Sequence, residues 1–322
     1  RLLAFALSLA FFYHSWQCLT ENDDELMRRF GLMLAGASTP SVRCPVLGIH
    51  YWRPAASGEV EATDLWKEYQ SRGRWKQRLV RILPQTLLYG GFGVLLMALS
   101  GLPVMPCRGD ACFYINYGIL GVSVVAMTLL IFYVVDATRL CRRLITIMIG
   151  TTIHWPDRVL EQEAARLRVD KAYVREWIAI EFIAQRTAVI SAMIYYPFVI
   201  VFLMGIARHS YFDRWDFPVG LVVIFGLNAA YAFGNGVFLR RSAEQAKRAA
   251  VAQLKSRLDG LSGEVVFKKE KREQVERIVA LIEDYQEGAF LPFTRHPLFG
   301  AIALPTGGTG LVFLLEYLAT IF

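Results

Sequence analysis

The sequence predicts an all-α fold, a polytopic membrane helix bundle with five spans, an additional span at the N-terminus and a cytoplasmic helical hairpin. The first observation behind this prediction is a set of long apolar stretches at residues 2–19, 82–103, 116–136, 187–207, 217–239 and 297–322. Each is close to the length of about 20 residues that a helix needs to cross a bilayer. The second is a composition that is 55% hydrophobic, with a mean hydropathy of +0.36, although 20% of the residues are charged.

The third observation is that basic residues alternate between the two sides of these stretches. Of the 35 Lys and Arg residues, 10 lie in residues 20–81, 9 in 137–186 and 12 in 240–296. The short connections 104–115 and 208–216 hold only Arg108, Arg208 and Arg214. Since cytoplasmic segments collect Lys and Arg, the three rich segments are predicted inside and the C-terminus outside. A bacterial inner membrane is the expected location.

The net charge of +7 is explained by this topology and by attraction to anionic lipid headgroups. No array of stacking aromatic and basic residues accompanies the charge, so nucleic-acid binding is not predicted. The expected partners are the lipid bilayer and either further copies of this chain or a membrane complex.

The N-terminal stretch, residues 1–19, is predicted to run inward across the membrane. The chain starts with Arg1 inside an apolar run, which favours a fragment of a longer protein or a start lost to processing. A cleaved signal peptide is the alternative, but it would export the ten positive charges of residues 20–81.

Segment 20–81 ends in a predicted juxtamembrane helix over residues 64–81, which leads into the membrane hairpin 82–136. Three aromatic residues, Trp66, Tyr69 and Trp75, are expected at the lipid headgroups while neighbouring basic side chains extend to water. Segment 137–186 is predicted to continue the preceding span, to break at Pro156 and to restart as a polar helix with Asp157 as its cap.

Segment 240–296 follows the second membrane hairpin, 187–239, and contains two helix-forming runs, 242–259 and 264–287, separated by glycines. In the second run, apolar residues follow three- and four-residue steps, which predicts one buried stripe: Val275, Ile278, Ile282 and Tyr285. An antiparallel helical hairpin is expected. Its charged faces are either solvated or a docking surface.

Polar residues inside the membrane are the main candidates for a functional site, because polar atoms in lipid carry a large free-energy penalty. Asn228 and Asn235 are seven residues apart, so they share a helix face with Tyr231 beside them. They either line a path for a permeant species or join helices by hydrogen bonds.

The last stretch, 297–322, combines a proline, several glycines and a charge. Pro305 removes a helical hydrogen bond and the glycines loosen the adjacent turns, at Gly307, Gly308 and Gly310. A broken helix is how many transporters form a substrate site, and a kinked, closely packed helix is the alternative. Thr309 and Glu316 share one side of this helix. Glu316 is either buried and paired or solvated at the outer interface.

Two further features complete the candidate set. Asp136 lies one turn before Arg139 at an inside helix end, so an interfacial ion pair between them is expected. In the outside connection 104–115, Cys107 and Cys112 either close a disulfide ring in an oxidising compartment or remain thiols.

Enzyme chemistry is not predicted, because the five His residues are dispersed and neither a G-x-S-x-G elbow nor a P-loop is present. No metal site or cofactor is predicted either. Three hypotheses remain: an oligomeric channel- or pore-like module with cytoplasmic helices that gate it or dock partners, a membrane anchor or signalling subunit of a larger complex, and a secondary transporter with its site at the broken last helix.

Overall fold

The computed structural model describes residues 2–32, 59–101, 109–206, 219–259, 265–292 and 295. These residues are nearly all helical. The helices are α1 (Leu2–Arg29), α2 (Ala62–Gly73), α3 (Trp75–Ser100), α4 (Asp110–Gly150), α5 (Asp157–Leu167), α6 (Lys171–Ile206), α7 (Val219–Asp259) and α8 (Val265–Asp284). A single 3-10 turn, Gly288–Phe290, follows α8 in the described part of the chain.

Four described helices are long and apolar enough to cross a membrane, namely α1, α3, α4 and the Lys171–Met204 part of α6. They cover most of four of the six predicted apolar stretches, so the prediction of a helical membrane protein is supported. The predicted span at residues 217–239 falls in α7, which is not among these four, and the stretch 297–322 lies outside the described residues. The span count of five plus one therefore stays a prediction.

The centre of the bundle is formed by α4 and α6. In the most apolar window of each helix, 61% of the α4 residues and 50% of the α6 residues are buried, compared with 17% for α3 and 22% for α1. Helices α1, α3 and α7 pack around this pair. The exposed side of α3 carries large apolar side chains such as Leu87, Leu88 and Leu99, which suits contact with lipid or with another membrane helix.

Three helices are longer than a bilayer requires. Both α4 and α7 have 41 residues and α6 has 36, so at a rise of about 1.5 Å per residue each exceeds roughly 50 Å. A hydrocarbon core is about 30 Å thick. Each helix therefore continues without a break from its apolar part into a charged part.

The charged parts assemble into a compact unit that we call the polar module, comprising residues 59–73, 137–186, 240–259 and 265–292. It contains the one departure from an all-α fold that the described residues show: strand β1, Glu59–Glu61, pairs in parallel with strand β2, Thr152–His154. The restart after Pro156 occurs as predicted, but Asp157 is the first helical residue of α5 and the cap position is Pro156, without a side-chain cap hydrogen bond. The prediction of Asp157 as the cap is therefore wrong.

Helix α8 runs antiparallel to the C-terminal half of α7. The predicted apolar stripe faces inward, with Val275, Ile278 and Ile282 fully buried. At the end of α8 the Lys247 ammonium donates hydrogen bonds to the carbonyl oxygens of Glu283 and Tyr285, at 2.8 and 3.1 Å. Burial lowers the pKa of Lys247. These bonds satisfy carbonyl groups that have no partner within the helix.

The 3-10 turn after α8 docks directly on α6. Gly288 has a φ of +59°, and a β-carbon there would overlap the carbonyl oxygen of Ala184. The backbone N–H of Ala289 donates to the hydroxyl of Thr187 at 3.0 Å. A glycine is required because both the positive φ and the close approach exclude a side chain.

Candidate functional site

The most unusual feature of the structure is a buried arginine, Arg186, in the middle of α6. Its side chain is 1% exposed. Nε donates a hydrogen bond to the Tyr69 hydroxyl at 3.0 Å, and Nη1 donates to Asn22 Oδ1 at 2.7 Å. The same Nη1 lies 2.7 Å from a carboxylate oxygen of Asp23. One guanidinium thus joins α1, α2 and α6.

Aromatic rings enclose this guanidinium. Its central carbon lies 5.6 Å from the ring centroid of Trp66 and 5.1 Å from that of Tyr69, distances at which cation–π attraction operates. The two rings stack on each other with their centroids 5.1 Å apart. Trp66 and Tyr69 occupy one face of α2 because they are three residues apart. We call Asn22, Asp23, Trp66, Tyr69 and Arg186 the Arg186 cluster.

The Arg186 cluster corrects the prediction for the aromatic residues of segment 20–81. Trp66 and Tyr69 are each 1% exposed, so they belong to the protein core and not to the lipid headgroups. Trp75 is 41% exposed, as an interfacial residue would be. Burial raises the pKa of the Tyr69 hydroxyl to about 12, so Tyr69 stays a neutral donor and acceptor at physiological pH.

A second buried arginine, Arg78, lies next to this cluster in the first turns of α3. The residue is 3% exposed, and its guanidinium carbon lies 5.1 Å from the ring centroid of Tyr133 on α4. Its Nε and Nη1 atoms have no hydrogen-bond partner within the described part of the chain. Buried polar groups in proteins are nearly always paired, which makes Arg78 an exception that requires an explanation.

Asp136, one of the predicted candidates, accepts two hydrogen bonds from Arg81 on α3. The Asp136 oxygens lie 2.8 Å from Nε and 2.8 Å from Nη2, which is the strong forked geometry of arginine with carboxylate. The expected pair with Arg139 is wrong. Arg139 instead stacks on the ring of Tyr231, at 5.3 Å.

The charges at the junction of α1, α3, α4 and α6 do not balance. Asp23 forms an ion pair with Arg186, and Asp136 forms one with Arg81. Arg78 forms no ion pair at contact distance among the residues that the structure describes, although its charge also acts on the Asp23 carboxylate. Three guanidinium groups therefore share two carboxylates at this junction.

The predicted polar stripe on α7 is divided by the structure. Asn228 is 1% exposed, and its Nδ2 has no partner among the described residues. Asn235 donates a 2.8 Å bond to the Tyr231 carbonyl of its own helix. The Tyr231 ring packs edge-on against Phe132, at 5.8 Å. Asn228 therefore faces the interior of this chain, and Asn235 is satisfied locally.

The remaining predicted residues cannot be compared with the structure. Cys107 and the residues of the last stretch lie outside the described residues: Pro305, Gly307, Gly308, Thr309, Gly310 and Glu316. Cys112 is described, with the Asn116 amide 3.2 Å from its sulfur. The disulfide and the helix break therefore stay predictions.

The Arg186 cluster was not predicted from the sequence. Arg186 is the last residue of the basic segment 137–186, and a charge at the edge of an apolar run is ordinarily assigned to the membrane interface. The sequence contained one signal that could have indicated this cluster. Asp23 follows Asn22 directly at the end of the first apolar stretch, and a carboxylate that is buried there requires a basic partner.

The groups of this site hold helices together through hydrogen bonds, an ion pair and cation–π contacts. Within the described residues, no group of three His, Cys, Asp or Glu side chains is placed to hold a metal ion. Comparison of the chain with protein families, with curated proteins and with solved structures finds no match.

Proposed function

We propose that this protein is an oligomeric, channel-like membrane module that its polar module controls. The observation that carries the proposal is the continuity of α4, α6 and α7, which extend from the apolar bundle into the polar module without a break. Because a helix is stiff along its axis, a displacement of the polar module is passed on to the apolar part. The Arg186 cluster couples α1 and α2 to the same movement.

Assembly of several copies is part of this proposal because the core cavity between α2, α4 and α6 is too small to conduct ions. The cavity bordered by Leu32, Trp66 and Phe182 measures about 10 Å³ and has an apolar lining, room for about one water molecule. A cavity of this size is too small to be part of a conducting path. We therefore assign the path to contacts between copies, with the thinly covered α3 as the helix that is best placed to contribute.

In this proposal the polar module faces the inside of a bacterial cell and the C-terminus lies outside. The distribution of Lys and Arg supports this orientation. Labelling of single cysteines placed in residues 242–287, in intact cells and after lysis, tests it. Labelling of these cysteines in intact cells by a membrane-impermeant reagent would show that the polar module faces outside and would contradict the proposed orientation.

Reconstitution is the direct test of the proposed function. Purified protein in vesicles is expected to increase the flux of a small ion above that of empty vesicles, and crosslinking is expected to give more than one copy per assembly. Asp136→Asn, which weakens the pair with Arg81 at the start of the polar module, is expected to change the flux at unchanged assembly. A monomer without flux would contradict the proposal.

A second function, that of a membrane anchor or signalling subunit, is favoured by one observation. Asn228 is buried inside the single chain, so it does not line a path between copies. Absence of flux together with intact assembly, including in Asn228→Leu, would favour this anchor. The transporter hypothesis rests on Pro305 and the glycines after it, outside the described residues.

A further inference from the structure

The corner between α2 and α3 holds a buried guanidinium, that of Arg78, which forms no ion pair with another described residue. Arg78 is 3% exposed, and its Nε and Nη1 are unpaired among the described residues. Its contacts with Tyr133 and the field of the Asp23 carboxylate, which pairs with Arg186, compensate this charge only in part. A buried guanidinium with unpaired nitrogens destabilises a protein. An anion at this corner would remove that penalty.

The helix end at the same corner is also open to an anion. Helix α3 has 26 residues and begins at Trp75, and its cap residue, Arg74, makes no side-chain cap hydrogen bond. The first N–H groups of a helix have no partner within it and carry a partial positive charge, which makes them binding sites for phosphate-type anions.

The geometry brings these two features together. Helical side chains tilt toward the N-terminus of their helix, and the Arg78 guanidinium indeed lies beside Gly73, with Nη2 3.4 Å from the position that a β-carbon there would occupy. Gly73 has no side chain, so the guanidinium can lie close to its backbone. Arg74 precedes Arg78 by one turn, on the same side of the chain, and it is exposed to solvent.

The position of the corner selects the class of ligand. Helix α2 belongs to the polar module, whereas α3 is a candidate membrane span, so the corner lies where membrane meets water. Trp75, at 41% exposure, and the exposed Lys76 fit the headgroup region, where aromatic and basic residues collect. Lipid phosphates are present there at high concentration.

We propose that the α2–α3 corner binds a phosphate-type anion, the headgroup phosphate of an anionic lipid, with Arg78 as the inner ligand, Arg74 as the outer ligand and the first N–H groups of α3 beside them. The site goes beyond the proposed channel function and does not depend on it. Binding at this corner fixes the joint between the polar module and the bundle.

The test is a titration of delipidated full-length protein with phosphatidylglycerol, followed by native mass spectrometry. Arg78→Gln and Arg74→Gln are each expected to weaken binding about tenfold, as the loss of a charge-assisted hydrogen bond does. Arg248→Gln, an exposed arginine on the part of α7 in the polar module, is the matched control and is expected to change binding less than twofold. Equal affinity in all four proteins would overturn the proposal.

A second measurement separates loss of binding from loss of folding. Because Nε and Nη1 of Arg78 have no hydrogen-bond partner among the described residues, Arg78→Gln is expected to leave the melting temperature of lipid-free protein unchanged or higher. Phosphatidylglycerol is expected to raise the melting temperature of the wild type only. A fall of several degrees in lipid-free Arg78→Gln, with the lipid effect retained in Arg74→Gln, would mean that Arg78 is a structural residue and would overturn the site.

Inorganic phosphate, the third arm, distinguishes the two sources of the anion. In the wild type, millimolar phosphate is expected to displace phosphatidylglycerol. In Arg78→Gln, it is expected to leave any residual lipid binding unchanged. These two results together support one common site. Phosphate binding that depends on Arg78 while lipid binding does not would overturn the assignment to lipid.

Discussion

Replacement of Arg186 by methionine tests the central interaction of this structure. Methionine fills a similar volume without charge, so the change removes the guanidinium while keeping most of the packing. It deprives Tyr69 and Asn22 of a hydrogen-bond donor and leaves Asp23 without its cationic partner. The stacked rings of Trp66 and Tyr69 lose the cation that lies against them.

The expected loss in the free energy of unfolding is about 3 kcal/mol. Removing one partner of a buried ion pair costs about 3–5 kcal/mol, and the lower end applies because the Asp23 side chain is 25% exposed and gains water. Asp23→Leu should cost more, about 4–5 kcal/mol, because it leaves the guanidinium of Arg186, at 1% exposure, unpaired. Removing the buried partner therefore costs less than removing the partly exposed one.

The assay is thermal unfolding in one detergent, with Arg142→Met as the control. Arg142 is exposed and makes a cation–π contact with Phe238 at 5.6 Å. The control therefore makes the same Arg-to-Met change at an arginine that is exposed and not buried. For a chain of this length, 3 kcal/mol corresponds to a fall in melting temperature of roughly 4 °C, and the control should change by less than about 1 °C. The double variant of Arg186 and Asp23 should be at least about 1 kcal/mol more stable than additivity predicts. Additive losses, or equal effects of Arg186→Met and Arg142→Met, would refute the reasoning.

Two more predictions follow from the polar module. The raised pKa of Tyr69, about 12, means that the folded protein holds this proton more tightly than the unfolded chain, whose tyrosine pKa is about 10. The stabilisation is fully present below pH 10 and is lost as pH rises toward 12, up to about 2–3 kcal/mol. Thermal scans from pH 8 to 11.5 should show this decline, and Tyr69→Phe, less stable at neutral pH, should show a smaller one; parallel declines would exclude Tyr69 as the cause. Gly288→Ala should lower the free energy of unfolding by at least about 3 kcal/mol. An alanine there would have a positive φ, and its β-carbon would overlap the carbonyl oxygen of Ala184. Limited proteolysis should then cut near residues 284–292, and an unchanged pattern and melting temperature would show that the turn can move away.

The helical architecture was predictable because it depends on local chemistry. An apolar run of membrane length must satisfy its backbone hydrogen bonds internally, so it forms a helix whatever surrounds it. The stretches 2–19, 82–103, 116–136 and 187–207 accordingly fall in α1, α3, α4 and α6. The inward-facing stripe of α8 was predictable for the same reason, since its spacing is a property of one helix.

The polar contacts between helices were not predictable, because residue spacing constrains only neighbours on the same helix. The sequence offered Arg139 as the partner of Asp136, one turn away. The fold supplied Arg81, 55 residues earlier in the chain, with a better forked geometry. Likewise, the aromatic residues of α2 were assigned to lipid because their burial depends on a helix packed against them from elsewhere in the chain.

The sequence by itself determined that this chain is helical and where its apolar helices run, since both follow from the transfer of apolar residues and backbone amides out of water. Only the tertiary structure decided which charges are buried and with whom they pair. Arg186 and Arg78 occupy similar basic contexts in the sequence, yet Arg186 is surrounded by Asn22, Asp23 and Tyr69, whereas Nε and Nη1 of Arg78 have no partner among the described residues. The free energy of a buried charge depends on the atoms within a few ångströms of it, and in this protein those atoms come from helices far apart in the chain.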